Sequence, residues 1–513
     1  MSSVLKNSLH IVLLFLIVTT FSHSASVAQT TEPAMYHEAF RPQFHFSPAC
    51  GWMNDPNGMV YYEGEYHLFY QYHPDDIVWG PMHWGHAVST DLMQWENLPI
   101  ALYPDAIGPI WSGSAVVDAQ NTSGLVPGGG LIAIFSYQDQ SQGIAYSTDK
   151  GRTWTMYASN PVIPALAKDF RDPKVFWHEA TGKWVMIIAA GNQIQLFTSP
   201  NLIDWEFASS LSGDIRGGVW EVPDLFPLDL DGKTYWVMLA SVSQMAPAGG
   251  GGVRYMIGDF DGTTFTYDRT NFDLWLDYGP DNYAGTTWSD MPDGQRVYIG
   301  WMSNWLYANA TPTERWRGAT TLPRTLRLMQ TADGVRLAQQ PVDSIAQLRG
   351  ESLGTWENVA LEGELPLDSV QGRLLEIIAE FRPGSAERFG IDVHAGDNTK
   401  TRILFNNPQS KLFISRSDQT ATGFIPNFTR AFGSHALTLE DGLLRVHLFV
   451  DESSVEVFAQ DGLVSISSLS FVNPQHDGVS LFAENGDAQL NRLEIYALNS
   501  LVPTGNNEMS ACS

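Results

Sequence analysis

Residues 52–58 read WMNDPNG, a turn of Asn, Pro and Gly that carries one acid, Asp55. A strand-like run, residues 59–62, follows this turn directly. Turn residues of this kind hold a side chain rigidly at the end of a strand, although an ordinary surface turn has the same composition. The interpretation of this stretch depends on whether comparable turns occur further along the chain.

Four further motifs resemble this turn in their placement ahead of strand-like runs. They are WSGS at residues 111–114, FRDP at 170–173, WEVPD at 220–224 and YAGTTW at 283–288. Measured between Asp55, Ser112, Asp172, Glu221 and Tyr283, the intervals are 49 to 62 residues. Apolar runs broken by short turns lie between the motifs and predict β-hairpins. Five all-β units of nearly constant length predict a five-bladed β-propeller, in which the motifs would converge on one central funnel.

The region after the repeats has a different pattern. Alternating strand-like runs return between residues 375 and 498, but no blade motif recurs there. This pattern predicts a β-sandwich, so the predicted fold class is all-β: a five-bladed β-propeller followed by a C-terminal β-sandwich. The predicted divisions are a signal peptide (1–28), a leader (29–40), the propeller (41–335), a linker (336–352), the sandwich (353–500) and a tail (501–513).

Composition and the N-terminus restrict the partners and the location. The chain has 513 residues and a formal net charge of -27, which disfavours nucleic acid or an anionic membrane as a partner and favours a neutral one. Lys6, an apolar run at residues 11–18 and small residues before position 28 form the pattern of a cleaved secretory signal. The sequence therefore predicts a secreted protein, extracellular or periplasmic, without a membrane anchor after cleavage. It makes no prediction of the oligomeric state.

Few residues in the sequence favour a metal or a disulfide framework. The two cysteines, Cys50 and Cys512, allow one bridge or two thiols, and the sequence does not decide between them. The 13 histidines form no metal-ligand cluster, and the glycine run at 249–252 lacks the ending of a phosphate-binding loop. We therefore expect neither a metal nor another cofactor. Three sequons, at Asn121, Asn309 and Asn427, would matter only in a eukaryotic host.

Three acids begin predicted blades: Asp55, Asp172 and Glu221. Glycoside hydrolysis requires two carboxyl groups, one ionised to attack the anomeric carbon and one protonated to assist the leaving oxygen. Turn amides around Asp55 favour an anion, which suits a nucleophile, whereas the apolar sequence neighbours of Glu221 favour a raised pKa, which suits the acid/base. Asp172, beside Arg171, should stay ionised and could hold sugar hydroxyls, although Arg171 and Asp172 could also form a purely structural ion pair.

The motifs WMNDPNG, FYQYHP, WGHAVS, WSGSA, FRDPKVF, WEVPDLF and GDFDG together resemble glycoside hydrolase family 32, the invertases, inulinases and levanases. The resemblance covers nearly the whole chain after the signal, and it implies the same fold and the same roles for Asp55, Glu221 and Asp172. One departure is Val222, where many family members carry a cysteine. The resemblance also implies that further residues bind substrate: Asn54, Gln71, Trp79, Ser112, Arg171 and Trp301.

These further positions also have structural explanations. Trp79 and Trp301 could be core aromatics, Gln71 could cap a strand ladder and Ser112 could form a turn. With the resemblance included, the sequence predicts an exo-acting, retaining β-fructosidase that hydrolyses terminal fructosyl units of inulin, levan and sucrose. Its partner would be an oligosaccharide or polysaccharide with such units. The alternatives are a fructosyltransferase, a sucrose-preferring invertase and an inactive fructan-binding protein.

Overall fold

In the described residues, one five-stranded sheet, four four-stranded sheets and one ten-stranded sheet form the protein. The computed structural model describes residues 35–212, 218–271, 274–397, 399–416 and 428–502. It confirms the predicted all-β class, with a five-bladed β-propeller and a C-terminal β-sandwich. Short 3-10 segments lie at Arg269–Asn271, Pro292–Gly294, Ala308–Ala310, Asp343–Leu348 and Glu440–Gly442. Within the described ranges, no helix is long and apolar enough to cross a membrane.

Each blade has its strands in chain order from the central funnel outward. Blade I contains β1 (Gly51–Tyr62), β2 (Glu65–His73), β3 (His83–Ser89) and β4 (Glu96–Leu102). Blade II contains β5 (Ile110–Val117), β6 (Leu131–Tyr137), β7 (Gln142–Ser147) and β8 (Thr155–Met156). Blade III contains β9 (Phe170–His178), β10 (Lys183–Ala190), β11 (Gln193–Ser199) and β12 (Glu206–Ser212). Blade IV contains β13 (Trp220–Leu230), β14 (Lys233–Val242), β15 (Gly252–Phe260) and β16 (Phe265–Tyr267). Blade V contains β17 (Tyr283–Thr287), β18 (Val297–Trp301), β20 (Arg324–Thr331) and β21 (Gly334–Pro341).

The residue composition of each strand follows its distance from the funnel. The second strands, such as β6 (LIAIFSY), are almost continuously apolar because neighbouring blades cover both of their faces. An outermost strand such as β12 (EFASSLS) is largely exposed and polar. The propeller core therefore lies between blades, and the first strands are left to line the funnel.

The ring is closed by a short strand from the blade V connection. This strand, β19 (Trp316–Arg317), pairs in parallel with β1, so that Gly51 lies opposite Trp316 and Trp52 opposite Arg317. Blade I is therefore a five-stranded sheet. The pairing includes the first residue of WMNDPNG, so both ends of the propeller chain meet at the strand that carries Asp55.

The sandwich is built around one long antiparallel pair of strands, β22 and β31. It contains β22 (Arg349–Gln371), β23 (Leu375–Pro383), β24 (Arg388–Gly396), β25 (Thr399–Asn406), β26 (Lys411–Ser415), β27 (Ala431–Ala436), β28 (Leu444–Asp451), β29 (Ser454–Ala459), β30 (Val464–Leu469) and β31 (Gly478–Leu498). β31 pairs with β22 over most of its length, with β24 through its first half and with β23 through its second half. Gly363, at φ 73°, occupies a register shift between β22 and β31, where left-handed backbone favours glycine. One bent strand therefore joins the two layers.

The propeller and the sandwich meet through buried charges. Arg324 on β20 is fully buried and donates to Asp277 Oδ2 at 3.0 Å and to Glu456 Oε2 at 2.9 Å, Glu456 being on β29 of the sandwich. His45 Nδ1 lies 2.7 Å from Asp451 Oδ2 of β28. Burial disfavours the charged form of His45, but hydrogen bonds to Asp451 and Glu456 outweigh burial and raise its pKa to about 9. The imidazole is therefore a cation in neutral solution.

Two further predictions concern the linker between the domains and the pairing of the cysteines. β21 ends at Pro341 and β22 begins at Arg349, both inside the region predicted as a linker. Cys50 is disulfide-bonded. Cys512, its predicted possible partner, lies outside the described residues, as do the predicted signal peptide and most of the predicted tail.

Candidate active site

A cavity of about 280 Å³ lies at the end of the funnel where the first strands begin. It brings together every sequence-predicted site residue except Trp301. Its lining consists of Asn54, Asp55, Gln71, Trp79, Trp111, Ser112, Gln140, Asp169, Arg171, Asp172, Glu221, Val222, Tyr283 and Trp305. All five blades contribute, as expected if the repeated motifs converge.

A β-bulge at each opening motif directs these side chains into the funnel. The strand register shifts between Met53 and Pro56 on β1, and the other four first strands shift at the same place in their motifs. Three residues at these shifts have left-handed backbone: Asp172 at φ 64°, Val222 at φ 47° and Ala284 at φ 52°. Bulges of this kind bend a strand and turn its side chains toward a site, and such backbone persists only where the fold enforces it.

Asp55 is held by one hydrogen bond to each of its oxygens. Asn54 Nδ2 donates to Oδ1 at 2.8 Å, and Ser112 Oγ donates to Oδ2 at 2.7 Å. Asn54 is fixed in turn because its Oδ1 accepts from Trp52 Nε1 at 2.8 Å. Burial raises the pKa of Asp55 to about 6, although both hydrogen bonds act against this rise, and the charge of Glu221 adds to it. Asp55 is thus a fixed carboxylate above that pH.

Glu221 has a polar environment that its sequence neighbours did not suggest. Trp220 packs between blades III and IV, while the Glu221 carboxylate faces the cavity. Arg171 Nη2 donates to Glu221 Oε1 at 2.8 Å, and the buried Tyr283 hydroxyl donates to Oε2. Burial raises the pKa of Tyr283 well above its usual value, and the charge of Glu221 adds to the effect, so the phenol keeps its proton as a donor. Arg171 also donates to Asp169 Oδ1 at 2.9 Å.

Asp172 lies in the same cavity but is bound mainly to the backbone. Its Oδ2 accepts from the Val222 amide at 3.0 Å, and its own amide donates to Ser136 Oγ at 2.9 Å. Burial raises the pKa of Asp172 to about 7. The positive charge of Arg171 lowers this pKa, whereas the negative charges of Glu221 and Asp55 raise it further. The prediction that Arg171 keeps Asp172 fully ionised is therefore corrected. The Arg171 Nε atom is 3.9 Å from Asp172 Oδ2, so Arg171 is shared among three acids.

Aromatic side chains form one wall of the cavity, and the structure corrects the prediction for Trp301. Trp79, which is 42% exposed, meets Trp111 edge to face at a ring separation of 6.1 Å. Trp301 is fully buried and does not line the cavity. It lies behind Trp305, whose ring centre is 4.7 Å away. Of the two tryptophans in GWMSNW, Trp305 is therefore the one at the cavity, because it lies in the connection after β18 whereas Trp301 is the last residue of that strand.

The remaining predicted residue, Gln71, is 2% exposed and lies on β2. With its amide oxygen toward Ser112, it accepts from the Ser112 amide at 3.2 Å and donates to the Ile110 carbonyl at 3.2 Å. Gln71 thus joins blades I and II at the cavity wall. Sequence reasoning gave no site role to Trp111, Gln140, Asp169, Tyr283 or Trp305, all of which line the cavity. Asp169 lies two residues before Arg171 in the FRDP region, and this spacing was the only signal that could have identified it.

A cavity that brings Asp55, Asp172 and Glu221 together beside tryptophan side chains fits a glycoside hydrolase, which requires a pair of carboxyl groups. Comparison with known proteins agrees with this class. Residues 45–341 match the family described as Glycosyl hydrolases family 32 N-terminal domain, and residues 344–497 match Glycosyl hydrolases family 32 C terminal. The chain belongs to glycoside hydrolase family 32, and it is a glycoside hydrolase of the β-fructosidase type.

Individual relatives cover nearly all of the chain. It is similar to a levanase of Bacillus subtilis (strain 168), with 48% identity over 97% of this chain and 75% of the levanase. It is also similar to an extracellular exo-inulinase of Aspergillus ficuum, with 36% identity over 91% of this chain and 96% of that protein. The crystal structure of the exo-inulinase from Aspergillus awamori superposes with a TM-score of 0.86 and 34% identity, covering 91% of this chain and 100% of that chain.

Proposed function

We propose that the protein is a secreted, exo-acting, retaining β-fructosidase that removes terminal β-fructosyl units from inulin, levan and sucrose. The observation that carries this proposal is the placement of Asp55 and Glu221 in one cavity at the funnel end. At about 280 Å³ the cavity is small for a ligand site, which suits the end of a chain better than a passage for its interior. The extracellular exo-inulinase relative supports both the exo action and the secretion.

In the proposed mechanism Glu221, in its protonated form, gives its proton to the glycosidic oxygen while Asp55 attacks the anomeric carbon. The bond between that carbon and the glycosidic oxygen breaks, the shortened chain leaves as an alcohol, and a fructosyl ester of Asp55 remains. Glu221, now ionised, takes a proton from water, which attacks the anomeric carbon and releases fructose with retained configuration. Asp172 binds fructosyl hydroxyls, and Arg171 with Tyr283 orients Glu221.

Product analysis tests this function. The protein is incubated with sucrose, inulin and levan, product sizes are recorded by chromatography, and the anomeric form of the first product is read by NMR before mutarotation. We expect fructose as the main product from all three, released in the β form. Long oligosaccharides as early products would exclude exo action, the α form would exclude retention, and kestose-type products at high sucrose would identify a transferase.

The pH dependence of kcat/KM should report the nucleophile. Asp55 must be ionised to attack, and its pKa is raised to about 6, so kcat/KM should fall below neutral pH with a midpoint near that value. The Ser112 hydrogen bond lowers the pKa of Asp55, so Ser112→Ala should move the midpoint to higher pH. The measurement is the pH profile of both proteins on sucrose at low concentration. An acid limb below pH 4.5, or a midpoint that falls in the variant, would contradict the assignment.

A further inference from the structure

Exposed apolar side chains are concentrated at the active-site end of the propeller. Among the described residues, the large apolar side chains that are strongly exposed are Val78, Trp79, Tyr103, Leu166, Phe207, Met245, Trp305, Leu306 and Leu365. All except Phe207 and Leu365 lie in connections between second and third strands or between successive blades. These connections share the end at which the first strands begin. Single exposed apolar residues are ordinary, whereas a concentration at one end of a fold marks a binding surface.

Tyr103 and His83 form an aromatic pair on this rim. His83 begins β3 and Tyr103 directly follows β4, and the register that pairs Trp84 with Leu102 brings them together across the two strands. Their ring centres are 5.5 Å apart with an interplanar angle of 83°. Tyr103 is 57% exposed, so the His83 contact leaves much of its ring open to solvent.

The connection that carries Tyr103 is fixed by hydrogen bonds. Asp105 Oδ2 accepts from the Tyr137 hydroxyl at 2.8 Å, and Asp105 Oδ1 accepts from the Ile107 amide at 2.8 Å. The Asp105 amide donates to the Gly108 carbonyl at 3.2 Å, which closes a tight turn. A ligand that binds here would not have to order this connection, and the entropic cost of binding is therefore low.

The connection that carries Trp79 leads directly to this pair. Trp111 and Trp79 line the cavity, and Trp79 is separated from His83 by only three residues. We call Trp79, His83 and Tyr103 the rim platform. Asp75 and Asp76 in the same connection are exposed, so the surface offers hydroxyl acceptors and repels anionic polymers.

We propose that the rim platform binds the part of a fructan chain that follows the terminal residue in the cavity. This inference rests on the proposed function. The apolar faces of successive sugar units would stack on Trp79 and Tyr103, and their hydroxyls would meet the neighbouring acids. Sucrose has one sugar unit beyond the fructosyl residue in the cavity, whereas a fructan has many units that could contact the outer part of the platform. The platform would therefore raise the affinity for polymer relative to that for sucrose.

The test compares Tyr103→Ala, Tyr103→Trp and Phe207→Ala. Phe207, on β12 of blade III, is 60% exposed and is the matched control for loss of an exposed aromatic ring. In Tyr103→Ala, the ratio of KM for inulin or levan to KM for sucrose should rise roughly three- to tenfold, the value of one aromatic contact. Tyr103→Trp should restore the ratio, and Phe207→Ala should leave it unchanged.

A binding measurement keeps this inference separate from the proposed activity. In an Asp55→Asn background, retardation of the protein in gels that contain inulin or levan should weaken with Tyr103→Ala but not with Phe207→Ala. Retardation without hydrolysis by the native protein would defeat the proposed function and leave the platform in place. Equal changes of KM for polymer and sucrose, or unchanged retardation in Tyr103→Ala, would overturn the platform.

Discussion

Asp55→Asn is expected to reduce kcat on sucrose roughly 10³- to 10⁵-fold, as loss of a covalent nucleophile usually does. The amide has the shape of the carboxylate and can keep the contacts to Asn54 and Ser112, so the cavity should remain folded. Glu221→Gln should cause a loss of similar size because it removes the proposed proton donor. Since both residues are proposed to act in one reaction, the kcat of the double variant should be only slightly lower than that of the less active single variant.

The control is Asp231→Asn, the same change in the turn between β13 and β14 at the opposite end of blade IV. Asp231 is exposed, and its φ of 52° is one that asparagine adopts readily. Initial rates and melting temperatures are measured for all variants. Near-native turnover of a correctly folded Asp55→Asn protein would remove Asp55 from the mechanism. Losses that add in the double variant would show that the two residues do not act together.

Arg324→Met is expected to destabilise the protein by about 3–5 kcal/mol, the usual cost of breaking a buried ion pair from one side. Arg324 is fully buried between Asp277 of the propeller and Glu456 of the sandwich, and it also donates to Ser467 Oγ at 2.5 Å. Its removal takes the cation away from Asp277 and leaves Glu456 with His45 as its remaining cationic neighbour at the domain interface. Urea unfolding followed by fluorescence, with limited proteolysis of the two domains, measures the loss.

Arg327→Met is the matched control because Arg327 lies on the same strand and also reaches the sandwich, donating to the Asp461 carbonyl at 2.8 Å. Arg327 is exposed, so its loss should cost less than about 1 kcal/mol. Equal stability of the two variants would show that burial of Arg324 is not what makes its ion pairs important.

The repeated motifs carried most of the information about the site. Asp55, Asp172 and Glu221 lie far apart in the chain, yet the similar spacing of the five motifs was enough to predict that their blades face one funnel. The order of strands within a blade also follows from composition, because only strands covered on both sides are continuously apolar. In contrast, β22 was not predicted, since its mostly exposed and polar residues show no alternation. Its pairing with β31 depends on a partner more than a hundred residues away.

The protonation state of Asp172 and the choice between Trp301 and Trp305 could not be predicted from the sequence, for a different reason. Arg171 is adjacent to Asp172 in sequence, which suggested a pair, but its guanidinium bonds mainly to Asp169 and Glu221. The net effect on Asp172 therefore depends on burial and on acids from other blades. Likewise, GWMSNW contains two tryptophans that composition cannot distinguish. Only the end of β18 decides that Trp301 is core and that Trp305 reaches the cavity.

The pairing of β19 with β1 also determines when the catalytic machinery can be assembled. The partner of Gly51 and Trp52 lies more than 260 residues downstream, so this contact forms only after nearly the whole propeller has been made. Closing so long a loop has a large entropic cost and belongs to the slow, late part of folding. During synthesis, the first blade would emerge early, but the strand that carries Asp55 would lack its neighbour on the funnel side. Partially folded chains would then be inactive, and the time at which activity appears would report the final step of ring closure.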